Sequence, residues 1–121
     1  MKNQTKILIV RFSSIGDIVL TSPIIRCLRL QKKNVEIHFI TKEKYKDVLA
    51  LNPYLDKVHH YKENYFELIK KLKDEKYDII IDLHNNLRSI WLRLNLRAAS
   101  FVFKKENFKK FLIINFGINF L

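Results

Sequence analysis

The chain has 121 residues, of which 48% are hydrophobic and 29% charged, with a formal net charge of +11. Those proportions exclude a disordered chain and suit a single globular domain, residues 1–121, long enough to bury a core. No apolar run approaches the ~20 residues of a membrane-spanning helix, and the lone cysteine, Cys27, excludes an internal disulfide.

Lys6 to Phe12 opens the chain with a continuous apolar run broken by Arg11, and Ile7–Phe12 reads as a buried parallel strand. Apolar residues at Ile18, Val19, Ile24, Ile25 and Leu28 then take helical spacing. Ser22-Pro23 reads as a cap with proline at the first helical position, so a short turn over 17–20 precedes a helix from Pro23 to Lys32. Val35–Ile40 alternates as a second strand, and Thr41 is expected to cap a helix over 42–51 that closes at Asn52-Pro53. A third strand over 56–61, a helix over 65–76, a fourth strand over 77–83 and a helix over 87–96 follow. A fifth strand over 99–103 and a last helix over 107–116 complete the pattern. Strand and helix alternate throughout, which predicts an α/β fold: a Rossmann-like open parallel sheet with helices on both faces.

Met1 to Thr5 pass directly into the first strand with no apolar leader pattern, and one cysteine suits a reducing compartment, so a cytoplasmic location is expected. From Leu83 to Leu121 seven Lys or Arg residues face one acid, Glu106. That excess favours anionic partners such as phosphorylated sugars, nucleotides or anionic lipid. Nucleic acid is disfavoured, because no recognition motif and no basic–aromatic stripe on one element is present.

Two loops carry residues suited to chemistry. In Ser13-Ser14-Ile15-Gly16-Asp17, two hydroxyls, a glycine and a carboxylate fall where a first strand meets a first helix, the place where open α/β sheets bind ligands. Gly16 permits close backbone approach, helix-start N–H groups attract anions, and Asp17 is the group able to act as a general base. The same residues also suit a plain turn, with Asp17 favouring the helix start. No GxGxxG and no GxxxxGK[ST] is present, so the dinucleotide and P-loop fingerprints are missing. The second loop, Asp82-Leu83-His84-Asn85-Asn86-Leu87-Arg88-Ser89, should emerge on the same sheet edge. It would add an imidazole, two amides and a guanidinium able to grip phosphate or carboxylate at two points. His38, His59 and His60 fall in expected strands without metal-ligand spacing and read as structural.

The run Ile7-Leu8-Ile9-Val10-Arg11-Phe12-Ser13-Ser14-Ile15-Gly16-Asp17-Ile18-Val19-Leu20-Thr21-Ser22-Pro23, with the loop Asp82–Ser89, resembles glycosyltransferase family 9, the ADP-heptose:lipopolysaccharide heptosyltransferases. The family often carries glycine where Asn85 stands. The resemblance weakens after Arg97. It implies the N-terminal, acceptor-side half of a two-domain GT-B enzyme, with the C-terminal donor domain absent from the 121 residues. The implied activity is transfer of heptose from ADP-heptose to the lipopolysaccharide inner core. Asp17 would be the catalytic base, with Ser13, Ser14 and Gly16 near the donor phosphates. His84, Asn86 and Arg88 would hold the anionic acceptor, and neither metal nor cofactor is required. The alternative is a catalytically silent domain that binds a glycan or a partner.

The tail is also suggestive. Lys104, Lys105, Lys109 and Lys110 flank Phe103, Phe108 and Phe111, which suits contact with an anionic inner membrane. Phe108, Phe111 and Ile114 equally suit a buried helix face.

Overall fold

The computed structural model describes residues 4–31 and 34–102. The expected last helix, 107–116, and the basic–aromatic tail lie outside the described residues. Five strands form one parallel sheet: β1 (Thr5–Val10), β2 (Val35–Lys42), β3 (Lys57–Tyr61), β4 (Ile79–Asp82) and β5 (Ala99–Val102). Their order is β3-β2-β1-β4-β5. The helices are α1 (Ile15–Val19), α2 (Ser22–Gln31), α3 (Lys46–Ala50), α4 (Tyr65–Glu75) and α5 (Leu87–Leu96).

β1 is the central strand and is buried on both faces, which is why its sequence is continuously apolar rather than alternating. Ile7 and Ile9 join Ile37 and Phe39 against Ile18, Ile24, Ile25 and Leu49, residues of α1, α2 and α3. Leu8 and Val10 join Ile40 and Ile80 on the other face, against Leu68, Ile69 and Leu72 of α4 and Leu92 of α5. Each fully buried side chain of this size contributes about 1.5–3 kcal/mol. The chain runs outward from β1 through β2 to β3, returns across the sheet through α4, and proceeds the other way through β4 and β5. The reversal places a topological switch point between β1 and β4. Among the described residues no helix is long and apolar enough to cross a membrane.

Three local expectations are corrected. The carbonyl of Thr21 accepts from Ile25 N–H at 3.1 Å, so Thr21 caps α2, Ser22 is its first residue and Pro23 its second. Proline costs nothing there, since N–H groups of the first turn have no partner within the helix. Thr41 caps no helix: it lies in β2, fully buried, and its hydroxyl donates to the Phe12 carbonyl at 3.2 Å. A 3₁₀ turn over Glu43–Tyr45 intervenes before α3. The fourth strand is shorter than expected, because Asp78 turns aside to pair with the Lys6 backbone, accepting its N–H at 2.8 Å through Oδ2.

Candidate active site

Val10 and Asp82 are register partners, so the loops after β1 and β4 leave the sheet side by side at the switch point. Leu83 N–H still donates to the Val10 carbonyl at 3.0 Å. Arg11 then joins the loops: Nη1 donates to the Leu83 carbonyl at 2.7 Å and Nη2 to Asp17 Oδ2 at 2.8 Å. Both members of the Arg11–Asp17 ion pair are largely withdrawn from solvent. Ser14 Oγ donates to the same carboxylate oxygen at 3.1 Å. The carboxylate is therefore oriented by a guanidinium and a hydroxyl at the mouth of the switch point.

The other expected residues fall into place unevenly. Ser13 is half-buried and Gly16 exposed beside Asp17. Gly16 lies within α1, and a Cβ built on it would meet nothing within 4 Å, so the fold does not itself demand glycine there. Left-handed backbone occurs instead at Asn85, with φ of 51°. That geometry favours glycine and tolerates asparagine, which accounts for the residue at this point in the loop. Asp82, fully buried, shapes this turn by accepting from His84 N–H at 3.0 Å and Asn85 N–H at 2.8 Å.

His84 packs against Phe12 with ring centroids 5.1 Å apart, and its Nδ1 accepts from Phe12 N–H at 3.4 Å. Burial, reinforced by the Arg11 charge, lowers its pKa below the ordinary value, favouring a neutral ring. Asn86 is the N-cap of α5: its Oδ1 accepts from Ser89 N–H at 2.9 Å, and Ser89 Oγ accepts from Asn86 N–H at 2.8 Å. This capping box occupies the amide oxygen, so only the Asn86 NH₂ group remains suited to a ligand.

Arg88 lies on the α4 side of the edge. It donates to the Tyr61 hydroxyl at 3.2 Å and lines a cleft of about 450 Å³ with Tyr61, Lys62, Phe66, Leu87 and Trp91. Tyr65, buried beneath, donates to the Arg88 carbonyl and fixes the start of α5. The cleft lining also includes Glu63, and the aromatic walls with a guanidinium and an ammonium against that one carboxylate suit a ring-bearing anion. A larger groove of about 790 Å³, between α2 and α3, is mostly apolar and is lined by none of Ser13, Ser14, Gly16 and Asp17.

Sequence reasoning passed over Arg11. The available signal was a single cation interrupting an apolar strand six residues before Asp17. It also passed over a cluster on the sheet. His38 on β2 and His59 on β3 lie in strands as expected, but their side chains converge with Glu75 at the end of α4, ligand atoms all within 4.8 Å. No sequence spacing shows this, because three separate elements contribute one residue each.

No family model matches the chain. It is 27% identical over 117 residues to lipopolysaccharide heptosyltransferase 1 of Campylobacter coli, covering 92% of this chain and 34% of that protein. Among solved structures it is similar to a family 9 glycosyl transferase of Veillonella parvula, with a TM-score of 0.72 and 25% identity over 92% of this chain and 35% of that one. ADP-heptose lipopolysaccharide heptosyltransferase II of E. coli shares the fold, with a TM-score of 0.72 at 19% identity, over 87% of this chain and 32% of that one. The chain thus spans about a third of the length of these relatives. By sequence and fold together, the chain is similar to about a third of the length of the heptosyltransferases of glycosyltransferase family 9.

Proposed function

We propose that the chain is the N-terminal, acceptor-side domain of a GT-B heptosyltransferase, acting with a donor domain that holds ADP-heptose. The observation that carries this reading is the pairing of Asp17 with Arg11, which locks together the two loops bearing the resemblance. In this scheme Asp17 takes the proton of an acceptor hydroxyl as that oxygen attacks the anomeric carbon of heptose. The bond from that carbon to the diphosphate breaks and ADP leaves, inverting the centre. Backbone N–H groups near Ser13, Ser14 and Gly16 face the diphosphate and offset its charge without a cofactor. Arg88, with His84 and Asn86, holds the anionic lipopolysaccharide core. We place the protein in the cytoplasm, in peripheral contact with the anionic inner membrane, a reading supported by its +11 charge.

A second reading is a catalytically silent glycan- or partner-binding domain, for which the aromatic cleft beside Arg88 would serve without Asp17. Mixing the chain with a separately produced family 9 donor domain tests both. Heptose transfer from ADP-heptose to a Kdo-bearing lipid A acceptor, lost in Asp17→Asn, supports the enzyme. Acceptor binding by calorimetry without transfer supports the silent domain. An absence of acceptor binding overturns both.

A further inference from the structure

Beneath α4 and toward the amino-terminal edge of the sheet, away from Asp17, lies a polar cluster that the transferase scheme does not use. His38 is buried to 2% exposure, and its Nε2 lies 2.6 Å from Glu36 Oε2. That contact assigns the proton to Nε2 and leaves a lone pair on Nδ1. Nδ1 faces three groups: the Tyr77 hydroxyl at 2.7 Å, His59 Nε2 at 3.2 Å and Glu75 Oε2 at 3.2 Å. The Tyr77 hydroxyl also lies 3.0 Å from His59 Nε2. With the His59 proton on Nδ1, the His38 Nδ1 lone pair, the His59 Nε2 lone pair and the Glu75 carboxylate oxygen converge, and the single Tyr77 proton cannot serve all three. Such convergence of electron pairs is what a cation requires.

We propose that His38 Nδ1, His59 Nε2 and a Glu75 carboxylate oxygen form a divalent transition-metal site of the zinc type. The two 3.2 Å separations match the edge of a tetrahedron around zinc, about 3.3 Å for bonds of about 2.0–2.1 Å. Two imidazoles and a carboxylate suit zinc better than magnesium or calcium, which prefer oxygen throughout. Glu36 supplies the second-shell carboxylate that orients a ligating imidazole through its other nitrogen. Burial lowers the pKa of both histidines, His59 to about 4, keeping the neutral ring that a metal needs. Burial alone would raise Glu75, yet Lys6 and Lys57 beside it hold the carboxyl below its ordinary value. Lys6 Nζ lies 3.4 Å from Glu75 Oε2 and 3.5 Å from Glu36 Oε2. It therefore keeps an acid partner in Glu36 when Glu75 turns to the metal. Glu75 retains 25% side-chain exposure, which provides a route from solvent. A metal here would tie β2, β3 and the end of α4 together.

The test is titration of the metal-free 121-residue chain with Co²⁺, followed by Zn²⁺ competition. The expected result is visible d–d absorption of a tetrahedral ion, saturating at one Co²⁺ per chain, displaced by Zn²⁺, with a melting temperature that rises with metal concentration. His59→Gln and Glu75→Gln should each abolish the one-to-one absorption, and Glu36→Gln should weaken zinc binding about 10–100-fold. His60→Ala should leave it unchanged, since His60 is exposed and lies outside the group. An unsaturable or absent response in the wild type overturns the site whether or not the variants fold. So does equal loss in His60→Ala and His59→Gln, and the contacts are then a buried hydrogen-bond network alone.

Discussion

Arg11 and Asp17, six residues apart, are joined at 2.8 Å across the first turn after β1, and the same guanidinium grips the carbonyl of Leu83, 72 residues away. One side chain thus fixes the proposed base and both loops of the switch point. Arg11→Ala should free the two loops and cost about 1.5–3 kcal/mol, the range for hydrogen bonds to a charged group. Urea unfolding should show the loss. Hydrogen exchange should show faster opening at 11–17 and 83–86 than elsewhere in the sheet.

In a complete two-domain protein carrying this domain, Asp17→Asn should lower turnover by about 10²–10⁴-fold at a temperature and urea concentration where the variant remains folded, its urea midpoint falling because Arg11 loses its charged partner. A loss smaller than tenfold in a transfer assay would remove Asp17 from the role of base.

Arg88→Ala should weaken acceptor binding by about 1.5–3 kcal/mol, roughly ten- to more than a hundredfold, while leaving ADP-heptose binding near wild type. Calorimetry with each ligand separately measures the difference. Equal affinities for the acceptor would show that the cleft beside Tyr61 is not its site.

Acid should destabilise the fold partly through His84. Its folded pKa lies below the ordinary value of 6.5, so as pH falls below about 6.5 the unfolded chain takes up the proton first. The contribution is complete above that pH and is lost as pH falls through the folded value, when Nδ1 can no longer accept from Phe12 N–H. The urea midpoint should fall between pH 7.5 and pH 5, less steeply in His84→Gln than in wild type. A parallel pH dependence in the two proteins would refute it.

Two helix ends invite stabilisation. Lys76 closes α4 with φ of 55° and Arg97 closes α5 with φ of 53°, both left-handed. Glycine avoids the Cβ penalty there, and Lys76→Gly and Arg97→Gly should each add about 0.5–1 kcal/mol after the entropy of the unfolded chain is counted. Thermal melts of the single variants check this, and the gains should add, since the sites are on separate helices.

The parts of the fold legible in the sequence are those governed by local pattern. The apolar runs of β1 and β4, the helical spacing of α4 and α5, and the Ser-Ser-x-Gly-Asp turn each carry their own periodicity or punctuation. The two candidate loops could be placed on one edge because a parallel sheet leaves no other arrangement. What stayed hidden depends on partners distant in sequence. Thr41 looked like a cap because its hydroxyl had no visible competitor, and only folding brings the Phe12 carbonyl within 3.2 Å. Arg88 and Asn86 looked equivalent as loop polar residues, yet one faces a cleft and the other closes a capping box. The convergence of His38, His59 and Glu75 follows from strand order and the length of α4, which residue spacing does not encode.

The central position of β1 also sets an order of assembly during synthesis. Ile7 meets Ile37 on one side and Ile79 on the other, separations of 30 and 72 residues. A ribosome adding about 5–20 residues per second delivers β2 within a few seconds, but β4 only after roughly 4–14 s. For that interval the most apolar strand of the sheet has one edge open to other chains. Leu83, the second anchor of Arg11, emerges just after β4, so Arg11 can join the two loops of the proposed active site only once this hazard has passed.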